Sequence, residues 1–325
     1  MTSGKHQSDA ARTANGATNR IEDVAAGIKA RVEQTLGELL VTAQGDAGRL
    51  HGAMQYGVLA PGKRVRATIL VLCAGESHAA AALWPAAALE MVHAASLMLD
   101  DLPSMDNATL RRGRKAAHLA FGEDITILAA ISLITRAFEV MATDPRNCEA
   151  KRARLAAILA KALGPAGLVR GQELDLAHVA PDASVEQIEH MHGMKTGALF
   201  AAAAAMGAVV ADHGAGVAEA FRLAGCDIGI AYQAYDDLLD VVATAEAAGK
   251  DVRRDDAKAT VVSLLGAGGA ELRARARLEA AHARLRAIGR SGDGLAAYLD
   301  VLTRTLEKPV GTAARSTSPV AGRPA

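Results

Sequence analysis

Aromatic side chains are scarce in this chain: one tryptophan, four tyrosines and four phenylalanines among 325 residues. With alanine abundant in their place, the composition favours closely packed helices and few strands. Net charge is absent as well, because 36 basic and 36 acidic residues cancel. That balance excludes a global nucleic-acid footprint and leaves charge to act in local clusters. The three cysteines, Cys73, Cys148 and Cys226, lie far apart without CxxC spacing, which fits buried small residues in a reducing compartment. Residues 1–20 have no apolar stretch after a basic start, so no secretory signal is expected. The longest apolar run, "ALFAAAAAMGAVVA" at residues 198–211, is too short and too alanine-rich to read as a membrane span. The expectation is a soluble, cytoplasmic protein.

Half of the residues are apolar, enough to bury a large core. Helical periodicity runs from about Ile21 to Leu306. The chain therefore reads as all-α, with roughly ten to twelve helices in a single domain over residues 21–307. Residues 1–20 and the tail "KPVGTAARSTSPVAGRPA" (308–325) have the composition of disordered ends. Breaks are expected at "APGK" (60–63), "TDPRN" (143–147), "LGPAG" (163–167), "VAPDAS" (179–184) and "GAGGA" (266–270). Ser184 with Gln187 predicts a capping box.

Against this apolar background two acidic segments stand out. "YDDLLD" places Asp236 and Asp240 four residues apart on one helix face, with Asp237 beside them. Carboxylates so close repel one another unless a cation neutralises them, and magnesium suits such oxygen ligands when phosphate shares its shell. A solvated helix face is the plain alternative for this segment alone. The other segment, "DDLPSMD", holds Asp100, Asp101 and Asp106. An ideal helix would not align all three, but Pro103 distorts or ends the helix and so brings Asp106 round to Asp100. Two such segments facing each other would bind magnesium ions around a diphosphate.

Bases complete the pattern. Lys63, Arg64 and Arg66 follow a Pro-Gly turn at a helix start, where cations and helix dipole together favour anions. Arg111 and Arg112 follow the first acidic segment by one to two helical turns, and the arginine fork suits phosphate oxygens. His93 lies seven residues before Asp100 on nearly the same face, and alone it reads as a core histidine. "GMKTG" puts Lys195 and Thr196 at a kink expected to expose both side chains. Lys250 and Lys258 sit on a charged loop that is either solvated or a lid over an anion.

The ordered set "GKRVR", "MVHAASLMLDDLPSMDNATLRRG", "GQELDL", "KTGALF", "YQAYDDLLD" and "GKDVRRDDAKAT" resembles the trans-isoprenyl diphosphate synthases, most closely the geranylgeranyl diphosphate synthases of bacterial carotenoid pathways. The resemblance covers residues from about Gly62 to Lys258. It implies the isoprenoid-synthase helical bundle around a central cavity, a homodimer and a cluster of magnesium ions. It also implies that Lys63, Arg66, His93 and Arg112 hold isopentenyl diphosphate. Arg111, Lys195, Thr196, Gln233, Lys250 and Lys258 would contact the allylic diphosphate (dimethylallyl, geranyl or farnesyl). Asp100, Asp101, Asp106, Asp236, Asp237 and Asp240 would bind that diphosphate through the metal. In the implied reaction the allylic C–O bond ionises, the isopentenyl double bond attacks, and proton loss regenerates an allylic product.

Ala67, Asn107, "GRKAAH" and Arg170 depart from the family's commoner residues without removing any of these groups. In the family a bulky aromatic four or five residues before the first acidic segment stops growth at farnesyl length. Ser96 and Ala95 are small here, which favours a longer product, with Met91 and Phe200 as residues that would close the tunnel deeper. A farnesyl or longer-chain synthase is the nearest rival. A class I terpene cyclase would lack "GKRVR", and a non-catalytic synthase subunit would lose an acidic segment.

Overall fold

The structure is a computed structural model that describes residues 3–41, 48–177, 183–247 and 260–316, with side chains described within 19–41, 48–177, 183–241 and 260–307. Its helices fall between the breakers. "APGK" separates α2 (Arg49–Val58) from α3 (Val65–Ala74), "TDPRN" separates α6 (Glu123–Thr143) from α7 (Glu149–Leu163), and "LGPAG" separates α7 from α8 (Leu168–Leu176). Between α3 and α6 run α4 (Ala79–Asp100) and the short α5 (Ala117–Phe121). Ser184 caps α9 (Val185–His192) through the expected box, its hydroxyl accepting from the Gln187 amide. A π turn at Gly193–Gly197 then carries the rod on into α10 (Ala198–Val210). The remaining long helices are α11 (Ala215–Ala247), α12 (Val261–Ala287, broken at Gly266 where φ is +69°) and α13 (Asp293–Ser316).

Two expectations change. The first helix, α1, spans Ser3–Leu39, and α13 reaches Ser316, so helix extends into both ends that composition marks as disordered. No proline interrupts residues 3–20, and their alanines favour continued helix. The basic residues after the first acidic segment are not helical either. Strands β1 (Leu110–Arg111) and β2 (Arg114–Lys115) form a two-residue hairpin whose turn, Arg112-Gly113, has positive φ at both positions.

Alanine sets the packing. Twelve of the thirteen residues of α10 are buried, and this narrow helix runs through the middle of the molecule against α3, α4, α7 and α11. On α3, eight of ten residues are buried. One apolar cluster takes in residues from α1 to α13, with Leu36, Leu70, Leu89, Met91, Leu133, Phe200, Phe221 and Tyr235 as bulky fillers. By length and composition alone, the helical stretches Glu76–Asp100, Glu123–Thr143 and Val185–Val210 are apolar enough to cross a membrane. The first and third bury 67% and 78% of that apolar window inside the protein, whereas α6 buries 39%.

Candidate active site

Asp100 closes the last turn of α4, and there the chain folds back on itself. The Asp106 amide donates to the Asp100 carbonyl at 2.9 Å and the Ala108 amide to the Asp101 carbonyl at 3.2 Å. Pro103 thus ends the helix, and the returning loop sets Asp106 beside Asp100. The Asp100 side chain accepts from Gln172 Nε2 on α8 and lies 4.0 Å from Lys195 Nζ. Burial first, then the neighbouring Asp106, raise its pKa, while Lys195 pulls the other way. Asp101 takes a different partner: it is 2% exposed, and Arg111 Nε donates to its two oxygens at 2.9 and 3.2 Å while Nη2 adds a third bond. Burial lowers the Arg111 pKa, but the Asp101 carboxylate more than offsets it.

The second acidic segment stays on the unbroken helix α11. Asp236 lies beside Asp240 and Asp237, and burial first, then those two charges, push it up to about 6, with Arg66 and Lys63 offsetting this only in part. Asp237 accepts from Gln233 Nε2 at 2.9 Å, and its other oxygen lies 3.7 Å from His192 Nε2. That oxygen is buried with no hydrogen-bond partner among the described residues. Its pKa is raised, again chiefly by burial. Asp240 is exposed at the rim.

The π turn and α8 stand between the two segments. Lys195 Nζ bonds Asp175 Oδ2 at 2.6 Å. The charges of Lys195 and Asp175 act on Asp100 from one side and on Asp237 from the other. Both acidic sets therefore look onto one Lys195–Asp175 pair. Close backbone contact permits this: a methyl on Gly171 would run into the Lys195 backbone, and one on Gly229 would come within 2.6 Å of the Gly197 Cα. The kink at "GMKTG" exists, but it exposes only part of Lys195. Thr196 is buried, and its hydroxyl donates to Gln233 Oε1 at 2.7 Å because the π turn aims it at α11.

Basic residues gather next to Asp236. Lys63 is exposed before α3, and Arg66 lies in its first turn. The charges of Arg66 and Lys63 both reach Asp236. Arg66 Nη1 is 3.1 Å from His93 Nε2. An arginine only donates, so Nε2 accepts and the ring is neutral. Burial first, then Arg66, Arg112 and Arg64, hold the His93 pKa well below its ordinary value. Arg112, exposed at the hairpin turn, reaches back to the Ala60 carbonyl at 3.4 Å. Arg64 has a separate task. Buried with φ of +52°, it bonds Glu90 at 3.2 Å and the Val58 and Ala60 carbonyls, fixing the loop before α3. Lys250 and Lys258 lie outside the described residues.

Ser96 is half-buried one turn before Asp100, and its hydroxyl bonds the His93 carbonyl at 2.8 Å; Ala95 and Met91 are fully buried. Phe200 is fully buried beneath the Arg66 guanidinium, 4.5 Å from the ring centroid, so it packs beside the basic cluster. Sequence reasoning passed over Gln172, Asp175 and His192, although "GQELDL" flagged the first two.

The donor set fits a hard divalent cation. Burial first, then the neighbouring carboxylates, hold Asp236 near 6 despite Arg66 and Lys63, and Asp237 keeps a buried oxygen without a donor among the described residues. Among the described residues no three histidine, cysteine or carboxylate groups converge as a closed cage. A cation here would complete its shell with phosphate oxygens and water, which is how magnesium binds best.

The family pattern described as Polyprenyl synthetase matches residues 48–285. The chain is 38% identical over 274 residues to the geranylgeranyl diphosphate synthase of Pantoea ananas, covering 83% of this chain and 89% of that one. It is 36% identical to the farnesyl diphosphate synthase of Geobacillus stearothermophilus, covering 82% and 92%. A solved structure of the geranyltransferase of Helicobacter pylori, complexed with magnesium and isoprenyl diphosphate, superimposes with a TM-score of 0.77 at 28% identity, covering 88% and 97%.

Proposed function

The chain belongs to the polyprenyl synthetase family, whose members are trans-prenyltransferases, and from that premise we propose that it condenses isopentenyl diphosphate with allylic diphosphates as far as geranylgeranyl diphosphate. The observation that carries this reading is the convergence of both acidic sets on the Lys195–Asp175 pair, with the Arg66–His93 pair next to Asp236.

In this reading Asp100, Asp101, Asp106, Asp236, Asp237 and Asp240 hold magnesium. Bound there, the ions neutralise charge on the departing diphosphate and so ease ionisation of the allylic C–O bond. Lys195 and Arg111 add positive charge beside the same leaving group, and Thr196 orients Gln233 toward it. Lys250 and Lys258, outside the described residues, are assigned to the same allylic diphosphate. Lys63, Arg66 and Arg112 bind the diphosphate of isopentenyl diphosphate, and neutral His93 keeps Arg66 aimed at it. The small Ser96, on the Asp100 face of α4, leaves room for a chain longer than farnesyl.

The remaining assignments rest on the same reading. Residues 21–307 form one prenyl synthase domain of a cytoplasmic enzyme serving carotenoid supply, with no membrane span and no nucleic-acid partner. A second copy of the chain covers the apolar face of α6, where Ile127, Leu128 and Ile131 are 40%, 51% and 52% exposed. The test is incubation of the purified protein with magnesium, labelled isopentenyl diphosphate and each allylic primer, followed by chromatographic sizing. Twenty-carbon product is expected from all three primers. Termination at fifteen carbons overturns the geranylgeranyl assignment, and absence of any condensation overturns the activity.

A further inference from the structure

Tyr232 stands on α11 one turn before Asp236. Its ring leans on Phe200, with centroids 5.5 Å apart and planes tilted by 40°. The same Phe200 ring carries the Arg66 guanidinium at 4.5 Å. Tyr232 is therefore fixed within the basic cluster by ring packing, and no described residue forms a hydrogen bond with its hydroxyl. That hydroxyl feels the charge of Asp236 and, opposing it, the charges of Arg66 and Arg112. Burial, then Asp236, raise its pKa, so it remains a protonated donor.

A neutral donor within reach of the fields of two arginines and a carboxylate has a definite use. Arginines attract an anion from several directions, and a repelling carboxylate stands one helical turn away. A phenol held by its ring offers one fixed O–H to a single oxygen without adding charge. We propose that the Tyr232 hydroxyl donates a hydrogen bond to the diphosphate of isopentenyl diphosphate, fixing it against Arg66 and Arg112 at the boundary with the metal-binding carboxylates. This makes Tyr232 a substrate-binding residue, and it rests on the assignment of the basic cluster to that substrate.

Tyr232→Phe removes one oxygen and keeps the ring packing, so the variant should fold as the parent does. Steady-state kinetics with farnesyl diphosphate as primer should show the isopentenyl KM raised about tenfold, as for one lost bond to a charged oxygen, with the farnesyl KM within twofold of the parent. Inorganic pyrophosphate titrated in the presence of EDTA reads the cluster without metal, and its Kd should rise by a similar factor. An unchanged isopentenyl KM overturns the proposal. So does an equal rise in both KM values, which would assign the hydroxyl to holding Asp236. If the parent protein proves inert toward isopentenyl diphosphate, the functional reading fails separately. The pyrophosphate titration then still decides whether the hydroxyl serves an anion.

Discussion

Asp101 and Asp236 each belong to an adjacent aspartate pair, yet one lies against Arg111 while the other faces two more carboxylates. The difference comes from the backbone. Pro103 stops α4, so the first segment becomes a loop that returns as a hairpin and delivers an arginine to its own acid. Nothing stops α11, so Asp236, Asp237 and Asp240 stay on one unbroken helix and repel one another. The Asp101 carboxylate is paired with an arginine of its own segment, whereas Asp236, raised by burial and two neighbouring carboxylates, gains from a cation supplied from outside. Similar composition thus gives one half-satisfied site and one demanding site.

The sharpest way to break this contrast is Asp236→Asn. Product formation should fall about a thousandfold, in line with losing a charge aimed at the reacting centre. The metal-free protein should nevertheless become more stable. An acid whose pKa is about 6 when folded, against an ordinary 3.8, destabilises the fold increasingly as pH rises between those values, and the penalty is complete above about 6. Removing the charge should raise the melting temperature in EDTA by about 2 to 4 °C at pH 7.5, with the gain shrinking toward pH 5. A lower melting temperature at pH 7.5 would mean that Asp236 is not strained.

Asp101→Asn should move stability the other way. Arg111 loses the carboxylate that holds it, at a cost of about 2 kcal/mol once its partial exposure is allowed for. The melting temperature should drop by about 3 °C with or without chelator. Equal signs for the two variants would end the comparison. A finer probe is Thr196→Val, which keeps the shape and deletes the donor to Gln233. The KM for the allylic diphosphate should rise about fivefold, from the loss of roughly 1 kcal/mol, while the isopentenyl KM stays put. Matching rises in both would place Thr196 in general support of α11.

Local chemistry made much of the fold readable. Proline and glycine marked the ends of α2, α6 and α7, the break at Gly266 fell inside "GAGGA", and Ser184 with Gln187 capped α9 as a box. The motifs named the acids and bases, and Pro103 announced the return of Asp106 to Asp100. Less readable was whatever depended on distant partners. The π turn looked like an exposed kink, yet the helix packed against it turned Thr196 inward. The pairing of Asp101 with Arg111 required the hairpin, and two residues per strand leave no periodic signal. Asp175 and His192 became meaningful only once α8 and α9 were seen against the acids.

The bare backbone contacts at Gly171 and Gly229 have a practical consequence for anyone wishing to retune this protein by directed evolution. A side chain at Gly171 would meet the Lys195 backbone and one at Gly229 the Gly197 Cα, so libraries randomised at those two sites should return little besides the parent residue. New product profiles will have to come from positions such as Ser96, a small side chain that is only half-buried.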